Sequence, residues 1–416
     1  MMKTLGSSAA IAAATIALLA SIGIAGQSDS APAAARLGGS ISLEAGQIVA
    51  GHYVQQPVDH RFIERLSTDV AVDAAPRAWL SVHVGLHGDL WYPFRMTRGT
   101  DWDPTEQTYF TPLINRAEGV FHFGIAAVRM DAGLGCFTFK YNPDARNLGE
   151  YLFRSVAYPL YIATDFDRPY ARLAGCHIDA EFTNGIRQTL LMTSATDRFP
   201  LYDWSLACLV DVPAAKLLDA GAGICFDHLF SVNDSLTDPR AISGVETVKY
   251  TFRSIKGMMR LSIDPKAFLQ TTVFGKNDLR LYGEMAVLGV KSQPPFTSIS
   301  ERIPVMFGIN LPAFGIVDVI ACEVEWWGSR HPNSLDSLAR VNLPLPAIQQ
   351  DAARFAKDDW KWSVYLTRTM GGLTLTGQIA NDHMLTRNAL MRDVDCEQAL
   401  TSSKDWYYML KIGYSF

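Results

Sequence analysis

From residue 78 to the C-terminus, apolar and polar residues exchange places at almost every step in segment after segment. In AWLSVHVGLHG, Leu80, Val82, Val84 and Leu86 alternate with Ser81, His83, Gly85 and His87. A β-strand turns successive side chains to opposite faces, so a period of two predicts strands with one oily and one wet face. The same reading places strands at 80–88, 120–130, 150–164, 169–183, 186–196, 202–212, 217–230, 248–264, 279–290, 302–310, 316–327, 359–370, 373–381 and 405–416. That is about fourteen, within a range of 12–16. Residues 131–149, with GCFTFKY, and residues 41–54 are where further strands would be found.

The connections support a closed ring of hairpins. Counting back from the C-terminus, one set of connections (382–404, 328–358, 291–301, 231–247, 197–201, 165–168 and 89–119) alternates with another that includes 371–372, 311–315, 213–216 and 184–185, and the longest fall in the first set. Long loops thus gather at one end and tight turns at the other. Residues 265–278 and 131–149 break the rule, being long where short is expected. Asn184-Gly185 and Gly371-Gly372 have the composition of a type I′ turn, whose two central residues need positive φ.

The last segment is the most specific. In DWYYMLKIGYSF, Trp406, Tyr408, Leu410, Ile412, Tyr414 and Phe416 share one parity, and the chain stops on one of them. This resembles the terminal strand of bacterial outer-membrane β-barrels, which end in an aromatic residue read by the barrel-assembly machinery. The resemblance implies an all-β, transmembrane, antiparallel up-and-down barrel over residues 80–416, in the outer membrane of a Gram-negative-type bacterium. It assigns the assembly signal to Tyr414 and Phe416. Outer-membrane lipid, the assembly machinery and small solutes are the implied partners. Tryptophans near strand ends (Trp326, Trp327, Trp360, Trp362, Trp406) fit the aromatic girdle of such barrels.

Composition narrows the alternatives. Charged residues are 19 % and aromatic residues 11 % of the 416, while mean hydropathy is only +0.06. Beyond the N-terminus no run of about 18 uncharged apolar residues is available to span as a helix. A net charge of −5 with no basic concentration argues against a nucleic-acid partner. The opening MMKTLGSSAAIAAATIALLASIGIAG has the lysine, short apolar core and small residues of a cleavable signal peptide, taken as residues 1–26. Residues 27–79, rich in Ala, Gly, Ser and Pro, read as a periplasmic leader or plug. The six cysteines have no metal-site spacing and read as small side chains within strands.

Opposite the oily stripe, parity assigns His83, His87, His177, Asp179, Glu181, Asp219, Asp227, Lys256, Arg260, Arg280, Glu284, Glu323, Glu325, Asp359, Lys361 and Lys411 to the barrel interior. A basic side chain in mid-hydrocarbon costs about 2–4 kcal/mol, so charges belong on the wet face. Such charges either brace the interior or set a transverse field, with Glu181, Glu323 and Glu325 facing Lys256 and Arg260. His177, Asp179 and Glu181 lie at spacing two on one face. That pattern can hold a metal or relay protons, and is also what any inward-facing strand presents. Neither GxSxG nor HExxH occurs. The expectation is therefore a passive, porin-like channel without catalytic residues, metal or cofactor. The alternatives are a plugged barrel resembling the family that takes up long-chain fatty acids, an outer-membrane enzyme, and a structural barrel.

Overall fold

In a computed structural model, the chain is described over residues 35–51, 59–60, 62–92, 109–125, 127–154, 171–194, 202–214, 217–233, 238–242, 246–250, 253–269, 273–290, 299–326, 360–384 and 400–416. The expected signal peptide lies outside these residues. The elements in chain order are β1 (Arg36–Ala50), β2 (Phe62–Arg77), β3 (Leu80–Tyr92), β4 (Tyr109–Ile125), β5 (Val128–Phe139), helix α1 (Tyr151–Arg154), β6 (Ala171–Phe182), β7 (Arg187–Ser194), β8 (Trp204–Ala214) and β9 (Leu218–Phe230). They continue with β10 (Asp238–Ile242), β11 (Glu246–Tyr250), β12 (Ser254–Ile263), β13 (Leu281–Val287), β14 (Val305–Asn310), β15 (Val319–Trp326), β16 (Trp360–Met370), β17 (Leu373–Asn381) and β18 (Trp406–Ser415).

All but β10 and β11, which form a separate two-stranded sheet, join one closed antiparallel barrel of sixteen strands. Each strand pairs with its sequence neighbours in the ring, and β1 closes on β18 in a register running from Ser40 opposite Ser415 to Ala50 opposite Trp406. Closure leaves no unpaired strand edge. The alternation then decides the two faces. On β18, Tyr408, Leu410, Ile412 and Tyr414 are exposed on the outside while Tyr407 and Met409 are buried inside. On β12, Ile255, Met259 and Leu261 point out and Lys256, Met258 and Arg260 point in. Trp326 pairs with Trp360 across β15 and β16, and Trp79 stacks on Phe121 at 5.9 Å, so aromatic residues cluster at strand ends. One charged residue of the outward row, Arg368 near the end of β16, donates to Gly315 O at 2.8 Å.

Four expectations need correction. Residues 36–77 are wall, not leader or plug: they form β1 and β2, paired over twelve positions from Arg36–Asp73 to Gln47–Phe62. Their inward row (Ser40, Ser42, Glu44) and outward row (Ile41, Leu43, Ala45) do alternate, but Gly and Ala flatten the contrast. The segment 120–130 straddles the β4–β5 hairpin, whose second strand is the one anticipated near GCFTF. Residues 151–154 of the strand expected at 150–164 are helical instead, and 248–250 belong to β11 rather than to the wall.

The turns differ in detail too. Between β6 and β7 only Gly185 has positive φ, at 84°, and Phe182 N–H donates to Ile186 O. This turn is longer than a two-residue I′ loop, and the Asn184 side chain braces it by accepting from Ile186 N at 3.1 Å. Between β16 and β17 Gly371 alone is positive, at 61°, the pattern of a II′ turn. The connection after β12 opens with a short 3₁₀ helix, Pro265–Phe268, capped by Asp264. Among the described residues no two cysteines are joined in a disulfide.

Candidate functional site

The connection after β5 does not stay outside the barrel. Its sequence KYNPDARNLGE carries turn formers in place of an alternating pattern, so its backbone N–H groups find no strand ladder and need other acceptors. They find carboxylates on the inner wall. Glu323 of β15 accepts from Arg146 N at 2.5 Å, Asn147 N at 2.9 Å and Leu148 N at 2.9 Å, and also from Tyr282 Oη at 2.8 Å. Glu325 accepts from Gly149 N at 3.2 Å and Tyr151 Oη at 2.9 Å. Glu284 of β13 accepts from Tyr151 N at 2.8 Å and Asn142 Nδ2 at 2.9 Å.

In the ring β5 and β15 are separated by eight steps in either direction. Residues 140–154 therefore form a strap that leaves one wall and is latched to the wall diametrically opposite. Successive N–H groups converging on one anion make a backbone nest. Hydrogen bonds to a charged acceptor are worth about 1.5–3 kcal/mol each. Within the strap, Glu150 accepts from Asn142 N at 2.7 Å and Tyr141 N at 3.2 Å. Asp144 meets Arg280 at 3.0 Å, Asn147 Nδ2 donates to Asp382 at 2.7 Å, and Lys256 Nζ donates to Leu152 O.

The strap is also greased. Tyr141, Leu148, Tyr151, Leu152 and Phe153 pack with inward Leu173, Leu209, Met258 and Met306 in one buried cluster. Gly149 is required here: its φ is 87°, and a Cβ would meet Met306 Cε at 2.8 Å and Glu284 Oε2 at 2.9 Å. Burial pushes the Lys140 ammonium below the ordinary lysine range, Glu150 pulling the other way, while its Nζ donates to Ala145 O at 2.6 Å. Burial, with Asp211 nearby, raises the Tyr141 phenol well above its ordinary range, and the Arg260 guanidinium sits 5.3 Å over the same ring.

Beneath the strap is a cavity of about 350 Å³ whose lining includes four basic residues (Arg129, Lys140, Arg187, Arg260) and four acidic ones (Asp131, Asp179, Glu181, Asp211). Formal charge there balances. Arg260 bridges Asp211 at 2.5 Å and Asp219 at 3.2 Å, and Arg129 pairs with Glu181 at 3.1 Å.

The remaining residues assigned inward from parity are placed as follows. Lys256 approaches Asp227 at 3.8 Å, Lys361 Nζ donates to Leu400 O at 2.8 Å and Lys411 lies 3.6 Å from Glu44. His177 holds Asp179 on Nδ1 at 2.7 Å and Glu118 on Nε2 at 3.2 Å. His87 Nδ1 meets Asp69 at 2.6 Å, and His83 Nδ1 meets Asp73 at 2.5 Å. Asp359 lies outside the described residues. The transverse field in its expected form is not built: Lys256 and Arg260 on β12 stand three strands from Glu323 and Glu325 on β15, not across the bore. Tyr414 and Phe416 are exposed on the outer face.

Parity reasoning missed Glu44 and Arg65, a buried pair in which Arg65 Nε donates to Glu44 Oε2 at 2.8 Å and Nη2 to Oε1. It also missed His122, Glu118 and Asp131. The first two sit in the strands mistaken for a leader, and Glu44 stands directly opposite Arg65 once β1 and β2 are paired. Among the described residues no group of three or more His, Cys, Asp and Glu side chains is arranged to hold a metal ion.

These features define a large, closed β-barrel whose bore is crossed by its own chain. No protein-family model matches the sequence, and no curated protein matches it. Among solved structures it is similar to a mutant Rhodopseudomonas blastica porin (TM-score 0.46, 9 % identity) and to an anion-selective porin from Comamonas acidovorans (TM-score 0.46, 11 % identity). In both cases 92 % of this chain and all of the other are covered.

Proposed function

We propose that this protein is a passive, porin-like channel for small polar solutes in the outer membrane of a Gram-negative-type bacterium. The outward rows of Leu, Ile, Val, Phe and Tyr suit hydrocarbon, and every wall strand finds two hydrogen-bonding neighbours, as a lipid-embedded backbone requires. Sixteen strands enclose more space than wall side chains alone fill.

The observation that carries the reading is the strap. It narrows the bore from within and is held by three wall carboxylates. With charges balanced beneath it, selection acts through size and dipole more than through the sign of an ion. Short turns, including 78–79 and 371–372, then face the periplasm and long connections face outward. The function involves no bond-making step.

Reconstitution in a planar bilayer tests this. Stepwise single-channel conductance is expected from protein shown to be folded by heat-modifiable gel mobility. Folded protein that never conducts would instead favour a structural barrel.

A further inference from the structure

Near the short-turn end of the inner wall, two imidazoles aim at one hydroxyl. His83 Nε2 lies 3.0 Å and His122 Nε2 lies 2.9 Å from Ser81 Oγ. Behind them, His83 Nδ1 lies 2.5 Å from Asp73 Oδ1 and His122 Nδ1 lies 2.8 Å from Asp131 Oδ1. The sheet register builds this: Asp73 is directly opposite His83, His122 directly opposite Asp131, and Ser81 lies between on β3.

The proton count of the cluster is informative. A carboxylate only accepts, so each Nδ1 carries the hydrogen, and in the neutral ring each Nε2 then presents a lone pair toward Ser81. The serine has a single hydrogen and satisfies one of the two. Two lone pairs converging on one point, each imidazole oriented by a carboxylate, is the arrangement that holds a cation, and metal-bound histidines are oriented by carboxylates in this way. His177 is the contrast. Carboxylates face both of its nitrogens, so it offers no lone pair.

We propose that His83 and His122 form a site for a divalent transition-metal ion of the zinc type, with Ser81 Oγ or water completing the shell. Imidazole nitrogen suits zinc, copper and nickel ions rather than magnesium or calcium. Zinc–nitrogen bonds are about 2.0–2.1 Å, so each ring advances by roughly 0.9 Å onto an ion near the present Ser81 Oγ position. With two protein ligands and partial exposure (His83 20 %, His122 39 % of the side chain) the site releases its ion readily, as a station on a solute path does. The site does not depend on whether the barrel conducts.

Calorimetric titration of ZnCl₂ into untagged, folded full-length protein at neutral pH tests it. One zinc per chain is expected, weakened at least about tenfold in His83→Gln and in His122→Gln. His177→Gln is expected to bind as the wild type does. A second measurement needs no variant: zinc should shield His83 and His122, but not exposed His60, from diethyl pyrocarbonate, read by mass spectrometry. Folded wild type that binds no zinc overturns the proposal. So does zinc binding that is as tight in the two glutamine variants as in the wild type, or a failure to shield these two rings.

Discussion

Gly39 and Phe416 exchange both of their backbone hydrogen bonds, Gly39 N–H to Phe416 O at 3.1 Å and Phe416 N–H to Gly39 O at 2.9 Å. The last residue of the chain thereby extends the β1–β18 seam that closes the barrel. A Cβ at position 39 would sit 2.6 Å from Phe416 Cζ and 2.8 Å from Asp69 O. Gly39→Val should therefore lower the yield of folded barrel, and removal of Phe416 should do so more strongly, because it also takes the outward ring expected to guide assembly. The readout is the fraction of heat-modifiable protein in the membrane. Normal assembly of both variants would show that the seam tolerates an open end.

Glu323 gathers three consecutive strap amides and a tyrosine hydroxyl on one carboxylate. Glu323→Ala leaves those donors without their acceptor in a buried place, at a cost of about 1–3 kcal/mol for each one unsatisfied. Amides 146–148 should exchange hydrogen much faster in this variant, with the wall strands unchanged. Undiminished protection of these amides would mean that apolar packing alone holds the strap.

Gly149 offers a separate handle on the same element. Gly149→Ala puts a methyl group against Met306 and Glu284 in a left-handed backbone conformation, which costs on the order of 1–3 kcal/mol. Proteolysis within 140–154 should become faster although the barrel remains folded. Equal resistance in wild type and variant would contradict the packing described for Gly149.

Asp278 ties the connection 264–280 to the β14–β15 turn. Burial would raise its carboxyl, but N–H groups of Gly275, Ala313 and Phe314 hold it below the usual carboxylate range. A depressed folded-state value means that the stabilisation is fully present above the unfolded value of about 3.9 and is lost as pH falls through the lower folded value. Asp278→Asn should thus loosen this connection at pH 7 and match the wild type near pH 2. Hydrogen exchange of the Gly275 and Phe314 amides, corrected for intrinsic rates, reads the difference. A gap that persists at pH 2 would assign the effect to something other than the charge.

The wall of this protein was largely legible in its sequence because a strand's face is a local, period-two property. Segment 373–381 coincides with β17, and 405–416 with β18 to within a residue at each end. Legibility failed where small residues flatten the alternation, as with Gly38, Gly39 and Ala45 of β1. It failed more completely for the strap, because Asn147 meets Glu323 across 176 positions, and nothing near KYNPDARNLGE records that its amides end on β15. Inward Glu284, Glu323 and Glu325 were found by parity, but their work as acceptors for a crossing chain depends on the third dimension.

Single-channel recording of wild type beside Glu323→Ala, in the same planar bilayer and salt, tests most directly whether the latched strap sets the bore. The wild type should show small, steady steps, and the released variant larger and noisier ones. Identical step size and noise in two proteins shown to be folded would contradict the strap as the element that limits passage.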